Sequence, residues 1–501
     1  GDGQAGSDGA GKIMMLGALL AAGFKFSQSS LHLLGEKIEA AVSVGKYKLM
    51  GEGGHEGWFY GGSSLSPALL GVGYIVGPKI ASYVLVGGLL GWVILIPVMI
   101  LIGGMPAGLS PVEGFYEIWS NQVRYIGVGA MVVGGLWTLF TLRSSLGEGI
   151  KKAILGAKAG GVKKPERIQQ DLNYKKTFLA IGLMVIPMFI VYAFITEMWA
   201  ISAFFAVLML AVAFLASAIA GYMAGLVGSS NNPISGVTVA VLLFTALIAL
   251  GLGLSGPSAY VVVIAVAAVA CCAAAISGDV MQDLATGQMI GATPWRMQIA
   301  EIIGVIAVAP FIGVVVYLLD QAWGLGSEQL LAPQAFMMAG VVHGVLGQGM
   351  VWPFILAGAV LAFILILIDL PVLPVAIGVY LPFTLGAPIF AGGAVRHIVD
   401  RYVNKKYPEE AKGQEEVDDW ESVVKKKGLS MRDKITQKGL IMSAGLIAGE
   451  ALTGVAVALL IVMNFDFSIG VGAELPALLI WLFMAALLGY VVLRDVINKK
   501  E

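Results

Sequence analysis

Long apolar runs alternate along the chain with short polar stretches. A helix needs roughly 20 apolar residues to cross the hydrocarbon core of a bilayer, and about 14 runs come close to that length. These runs are continuous and lack the inside-outside alternation of barrel strands. The pattern therefore predicts an all-α polytopic membrane protein. The candidate spans are 12–29, 63–79, 82–103, 124–143, 176–195, 199–225, 233–253, 259–276, 297–319, 335–349, 352–369, 371–394, 437–463 and 474–493.

The stretch 225–306 contains the most distinctive turns between apolar runs. Asn232 precedes Pro233, and Thr293 precedes Pro294 in the same way. A capping residue followed by proline at the first helical position is a helix-start signal. Both pairs therefore predict sharp helix starts.

A polar segment follows the apolar run 259–276. We expect the helix to end at Gly278 and to place Asp279, Gln282 and Asp283 on a short connector. Short-loop carboxylates commonly orient a turn. We therefore interpret these three residues as a candidate gate between two membrane helices.

Composition supports the membrane class. Hydrophobic residues make up 58% of the 501 residues and charged residues 13%, and the mean hydropathy is +0.86; these values exclude a water-soluble domain. The net charge is −1, and no basic run is interleaved with aromatic residues. These features exclude a nucleic-acid partner. The two cysteines, Cys271 and Cys272, are adjacent in an apolar run and are expected to pack as small hydrophobes.

The charged loops predict the topology. Basic residues are concentrated in 144–175, in 397–436 and at the C-terminus, and such an excess marks the cytoplasmic side. The stretch 320–334 has no Lys or Arg, as expected of an external loop. Residues 30–62 are predicted to form a solvated loop. We predict one transmembrane domain over 1–501, with the C-terminus in the cytoplasm.

Ionisable residues inside spans are costly and are therefore functional candidates. Glu450 lies near the middle of its apolar run, and Glu301 lies near a helix start. Both are predicted proton-coupling residues. His343 is a candidate substrate ligand, with Gln348 nearby. The alternative for each is a structural side chain whose hydrogen bonds are satisfied by neighbours.

Motifs for common enzymatic chemistry are absent from the sequence. There is no HExxH, no phosphate-binding loop, no GxSxG and no metal-spaced Cys/His cluster. We expect neither a cofactor nor a metal. A many-helix membrane protein with broken helices and intramembrane carboxylates fits a secondary transporter. A channel and an intramembrane enzyme using Asp279, Asp283 and His343 are the weaker alternatives.

Four stretches are similar to one known family: NNPISG, SGDVMQDLATGQMIGATPWRMQIAEIIG, LPFTLGAPIFAGGAVRHIVDR and SAGLIAGEALTGV. The chain resembles the oligopeptide transporter (OPT) family, in particular its prokaryotic branch, related to the yellow-stripe-like carriers of plants. The resemblance covers nearly the whole chain from about residue 12. It implies a proton-coupled symporter of about sixteen helices, which imports small peptides or metal–chelate complexes.

The resemblance also implies a location in the cell. In one respect, however, this chain differs from the family. We expect an integral protein of a bacterial or archaeal inner membrane; the oligomeric state is left open. The family's first helices, with their own signature, are not found at the front of this chain. Site residues from that part of the family pattern therefore have no counterpart to name here.

Sequence and resemblance together suggest a mechanism. Substrate is expected to bind between helix bundles, where a helix starting at Pro233 directs its positive end at a carboxylate of a peptide or a chelate. A membrane carboxylate then gains and loses a proton as access alternates. The residues expected to bind substrate are Asn231, Asn232, Ser235, His343 and Gln348.

Overall fold

The computed structural model describes most of the chain, and nearly all of that part is helical. The described residues are 2–47, 55–141, 143, 166–227, 234–327, 330, 332–346, 352–407, 431–465, 467–470 and 472–498. The helices are α1 (Asp2–Ser29), α2 (Pro67–Leu89), α3 (Ile96–Gly103), α4 (Pro111–Ile118), α5 (Arg124–Thr141), α6 (Tyr174–Leu183), α7 (Val185–Thr196), α8 (Trp199–Val227), α9 (Ile234–Gly251), α10 (Pro257–Met289), α11 (Pro294–Trp323), α12 (Pro333–Leu346), α13 (Trp352–Leu367), α14 (Val372–Tyr380), α15 (Phe383–Lys406), α16 (Met431–Val462) and α17 (Glu474–Asn498).

The fold class predicted from the sequence is confirmed. Within the described residues, eight helices are long and apolar enough to cross a membrane, and shorter apolar helices accompany them. Helix α11 begins at Pro294, as the Thr293–Pro294 signal predicts. The chain is therefore a polytopic all-α membrane protein.

One β-hairpin departs from the helical pattern. Strands β1 (Lys37–Tyr47) and β2 (His55–Ser64) pair antiparallel, so the prediction of a solvated loop over 30–62 is wrong. β-branched residues favour strands, and the side chains alternate between the two faces of the hairpin. Tyr60 is 4% exposed, whereas its neighbour Phe59 is 48% exposed.

Several helix boundaries also differ from the predicted ones. Helix α10 continues past Gly278 to Met289, so the expected connector is helical. The predicted span 371–394 is divided between α14 and α15. Helix α15 extends to Lys406, well into the segment predicted as a loop from residue 397.

The chain forms two compact units, which we call unit 1 and unit 2. Unit 1 comprises residues 1–127, 317–330 and 368–501, and unit 2 comprises residues 128–316 and 331–367. Each unit is described by itself below.

Close helix packing builds unit 1. A side chain at Gly445 or Gly449 of α16 would collide with the backbone of α1 near Ala18, so small residues allow these helices to touch. Helix α2 is interrupted at Gly77, which has φ 86° and is followed by proline. Leu70 lies beside Gly392 of α15, and Ala81 lies beside the next residue, Gly393. Leu70 and Ala81 lie on opposite sides of Gly77 but contact adjacent residues of α15. Helix α2 therefore bends sharply at Gly77.

Unit 2 is built around a different helix set. Helix α10 packs against α8 and α9, and α9 also contacts α12. Helix α11 has no buried residue among its described positions. Its apolar side chains therefore lie on the surface of this unit, where a bilayer would solvate them.

Candidate carboxylate sites in two units

The first site forms at the start of α2. Ser66 is its N-cap residue and Pro67 its first helical residue. The Ser66 hydroxyl accepts a hydrogen bond of 3.1 Å from the backbone N–H of Leu69. This is the standard way in which a serine satisfies a free N–H at a helix start.

Glu450 of α16 binds this same helix start. The Ser66 hydroxyl lies 2.9 Å from each carboxylate oxygen of Glu450, and the backbone N–H of Ala68 donates to Oε2 at 2.6 Å. A carboxylate is favoured at a helix N-terminus, because free N–H groups and the helix dipole both face it. Glu450 therefore joins α16 to α2.

Further polar side chains of unit 1 surround this contact. The Trp481 indole N–H of α17 donates to the carbonyl of Ser66 at 3.1 Å. The Gln28 amide of α1 donates to the carbonyl of Leu65, the residue before Ser66, at 3.3 Å. Helices α1, α16 and α17 therefore all hold the start of α2.

An ion pair lies at the end of α1, near this contact. Lys25 Nζ is 3.0 Å from Oε1 of Glu36, and the Ser29 hydroxyl donates to the same oxygen at 2.7 Å. Burial acts to raise the pKa of the Glu36 carboxyl, but Lys25 and Ser29 outweigh it and hold that pKa below its ordinary value.

The second site, in unit 2, is a group of three carboxylates. Asp279 and Asp283 are four residues apart in α10 and therefore share a helix face. Glu301 of α11 lies close enough to Asp283 and Asp279 to interact with them electrostatically. The sequence predicted two of these residues on a connector and the third by its helix start, but did not predict that they meet. Gln282, predicted with them, is exposed on α10, as are Asp279 and Asp283, whereas Glu301 is half-buried.

The Glu301 carboxylate lacks a donor among the described residues. Its Oε1 atom is buried and has no hydrogen-bond partner there. Two ionised carboxylates cannot hydrogen bond to each other, because neither has a proton to donate. Glu301 and Asp283 can therefore bond only if they share one proton. Glu301 lies about two turns from the start of α11, too far for the helix dipole to hold its charge.

The predicted substrate residues have mixed outcomes. The imidazole of His343 in α12 contacts the ring of Tyr260 in α10, with 4.3 Å between ring centroids and an angle of 40° between the ring planes. Ser235 lies in α9. Asn231, Asn232 and Gln348 lie outside the described residues. Their role in binding stays a prediction.

The described part of the chain contains no group of three or more His, Cys, Asp or Glu side chains arranged to hold a metal ion.

The partners of Glu450 were not predicted from the sequence. Ser66 followed by Pro67 is the same start signal that was noted at Thr293 and Pro294, and it could have identified the helix start. Nothing in the sequence indicated that Glu450, 384 residues further along the chain, binds there.

Comparisons with known proteins agree with one another. The family model described as "OPT oligopeptide transporter protein" matches residues 58–461. A protein of Haemophilus influenzae described as "Putative oligopeptide transporter" is 31% identical over 512 residues, an alignment that covers 94% of this chain and 76% of the relative.

Proposed function

We propose a specific transport function for this chain, which belongs to the oligopeptide transporter (OPT) family. Family membership and the apolar helices make it an integral membrane transporter. We propose that it imports small peptides together with protons across a bacterial or archaeal inner membrane.

The observation that supports the proton coupling is the grouping of Glu301 with Asp283 and Asp279, together with the buried Oε1 atom of Glu301, which has no hydrogen-bond partner among the described residues. A proton shared by Glu301 and Asp283 would relieve their repulsion, and loss of that proton would place two negative charges near each other. Repulsion between them would then push α10 and α11 apart. A transporter needs such a link between proton binding and helix position, because alternating access depends on helices that move around the substrate site.

Glu450 is the other carboxylate predicted to carry the proton, and its surroundings favour a structural role. Its oxygens face a hydroxyl and a backbone N–H, and both donors suit an ionised carboxylate. We therefore assign proton coupling to Glu301 and Asp283. We assign to Glu450 the structural role of holding α2 against α16.

Uptake into proteoliposomes tests the proposed function. Labelled tri-, tetra- and pentapeptides are supplied with and without an inwardly directed proton gradient. We expect peptide to accumulate only with the gradient. Accumulation that ignores the gradient would refute the coupling, and accumulation of a labelled iron chelate without any peptide uptake would establish the alternative substrate class.

The predicted orientation places 144–175, 397–436 and the C-terminus in the cytoplasm. In a variant with Cys271 and Cys272 replaced by alanine, single cysteines at Gly160 and Leu325 should react with a membrane-impermeant thiol reagent from opposite sides. Reaction of both from the same side would overturn this orientation.

A further inference from the structure

The turn between α7 and α8, in unit 2, lies at a surface of the membrane. The apolar helical stretch Lys175–Thr196 precedes it and Trp199–Gly225 follows it, and each is long enough to cross a bilayer. Only Glu197 and Met198 separate the two helices. A turn this short between two spans places its residues at the level of the phospholipid head groups.

Internal contacts hold this turn in one shape. The Thr196 hydroxyl lies 2.7 Å from the Ser202 hydroxyl and accepts a hydrogen bond of 3.1 Å from the backbone N–H of Met198. Both hydroxyl side chains are buried. The ring centroid of Trp199 is 5.8 Å from that of Phe189 in α7. The turn is therefore ordered before any ligand arrives.

Glu197 is the charged residue of the turn. It ends α7 in the left-handed conformation, with φ 57°, where glycine is the usual residue. Its carboxylate is exposed, and it forms no hydrogen bond or ion pair with any residue that the structure describes. The last turn of α7 contains no basic residue. The described residues therefore leave the negative charge of Glu197 without a counter-charge.

A cavity of about 330 Å³ opens beside this carboxylate. Small-molecule sites range from about 300 to 1,000 Å³. Phe194 is 83% exposed and Trp199 is 72% exposed, so both rings are accessible. A carboxylate and the faces of aromatic rings all attract an ammonium group. The residues that line the cavity are Ile190, Ala193, Phe194, Glu197 and Trp199.

An exposed apolar stripe runs along α7 from this cavity. Ile186, Ile190 and Phe194 follow one another at intervals of four residues and therefore share a helix face, and all three are exposed. At 1.5 Å per residue the stripe is about 12 Å long. An acyl chain can lie along such a stripe, whereas a water-soluble ammonium compound gains nothing from it. The stripe therefore favours a lipid as the occupant of the cavity.

We propose that this cavity binds the ammonium head group of a phospholipid. Glu197 is its ion-pair partner, the rings of Phe194 and Trp199 contact it, and an acyl chain of the same lipid lies along Ile186 and Ile190. The Trp199 indole N–H donates to no described residue and is available to an oxygen of the lipid phosphate. This site does not rest on the proposed peptide transport, and it adds recognition of a lipid to it.

The test measures lipid binding to the purified, delipidated full chain by native mass spectrometry. The protein is titrated with a short-chain phosphatidylethanolamine or with phosphatidylglycerol of the same chains, which has the phosphate but no ammonium group. Wild-type protein should bind phosphatidylethanolamine roughly 3- to 10-fold more tightly, since an exposed ion pair is weak by itself and the ring contacts add to it. Glu197→Gln should abolish this preference without weakening the binding of phosphatidylglycerol.

Three further variants separate the site from a general effect of surface charge. Glu197→Asp keeps the charge and should retain part of the preference, and Trp199→Leu removes one ring and should reduce the preference. Asp369→Asn is the matched control, because Asp369 also has a positive φ, 58°, just after an apolar helix, but has no aromatic residue within four positions in the sequence. It should keep the full preference. Thermal melting in detergent verifies that each variant is folded.

The outcomes decide between a lipid site and its alternatives. Equal wild-type affinity for the two lipids, or a preference that survives Glu197→Gln, overturns the site. An equal loss of preference in Asp369→Asn overturns it as well, because surface charge alone would then explain the result. Free phosphoethanolamine that competes as well as the intact lipid would show a water-soluble ligand and overturn the lipid assignment. Since no arm measures transport, failure of the proposed peptide uptake leaves these outcomes unchanged.

Discussion

Glu450 in unit 1 and Glu301 in unit 2 are both carboxylates in membrane helices, but their surroundings are opposite. Glu450 receives hydrogen bonds from Ser66 and Ala68 at a helix start. Glu301 faces Asp283 and Asp279, and its buried oxygen has no donor among the described residues. The first environment supplies hydrogen-bond donors to the carboxylate, and the second supplies neighbouring carboxylates.

This difference shows that depth along an apolar run does not identify a proton carrier. Depth makes a carboxylate costly, but its neighbours decide how that cost is met. Donors stabilise the ionised form, whereas other carboxylates require protonation. The proposed function therefore gives Glu450 a structural role and Glu301 a coupling role, although the sequence predicted proton coupling for both.

The largest expected effect on stability follows removal of the Glu450 carboxylate. Glu450→Ala leaves the Ser66 hydroxyl and the Ala68 N–H without their acceptor, which should reduce the free energy of unfolding by about 2–4 kcal/mol. Thermal melting in detergent would show this as an early transition. The matched change Glu301→Ala should leave melting nearly unchanged. If Glu450→Ala and Glu301→Ala lowered the melting temperature equally, the two carboxylates would not differ in their structural role.

The next effect concerns Ser66. Ser66→Ala removes both the cap of α2 and a donor to Glu450, and loss of a serine cap costs about 1 kcal/mol, with a similar amount for the second hydrogen bond. Ser110→Ala is a control, because Ser110 caps the short helix α4 through hydrogen bonds with Glu113 of the same helix. The Ser66 variant should therefore melt at the lower temperature. If Ser110→Ala lowered the melting temperature more than Ser66→Ala, this would argue against the role of Glu450 in joining α16 to α2.

A change in unit 2 should act in the opposite direction. Asp283→Asn supplies an amide N–H donor toward Glu301 that needs no bound proton, so it should raise the free energy of unfolding at neutral pH by about 0.5–1.5 kcal/mol. Melting of the purified variant measures this gain. Asp320→Asn is a control, since Asp320 lies at the far end of α11 and caps a turn there. A destabilised Asp283→Asn variant would contradict the shared proton.

The smallest effect is the pH dependence contributed by Glu36. The pKa of Glu36 is lower in the folded protein than in the unfolded chain. Its carboxylate therefore stabilises the fold at pH values above the unfolded-state pKa, and this stabilisation is lost as the pH falls through the folded-state pKa. The exposure of the Lys25–Glu36 pair limits it to about 0.5–1 kcal/mol. The Glu36→Gln variant should therefore melt at a lower temperature than the wild type at pH 7, and this difference in melting temperature should shrink in acid. A difference that grows in acid would refute the stabilising role of the Glu36 carboxylate.

Hydropathy predicted the helices well, because a continuous apolar run in a membrane can satisfy the hydrogen bonds of its backbone only by forming an α-helix. It failed at Gly278, where a break was expected. A glycine inside a helix costs only about 1 kcal/mol, and the packing of α10 against α8 and α9 outweighs it. It also failed at residues 37–64, where a polar composition concealed the alternation of a hairpin.

The candidate sites were harder to predict than the helices. The sequence identified Glu450, Glu301, Asp279 and Asp283 by type and location, but their roles depend on neighbours contributed by other helices. Glu197 was not singled out, because it stands between two apolar runs, where a charged residue is ordinary. Its proposed role comes from the cavity that it lines with Phe194 and Trp199.

The measurement that most directly tests this account compares Glu301→Gln with Glu450→Gln in proteoliposomes. Glutamine resembles a protonated glutamate in shape, but it cannot release a proton. Each variant is assayed for exchange of labelled peptide without a gradient and for accumulation with an inward proton gradient. We predict that Glu301→Gln exchanges peptide but fails to accumulate it, whereas folded Glu450→Gln still accumulates peptide. The reverse result, with accumulation retained in Glu301→Gln and lost in Glu450→Gln, would contradict the account.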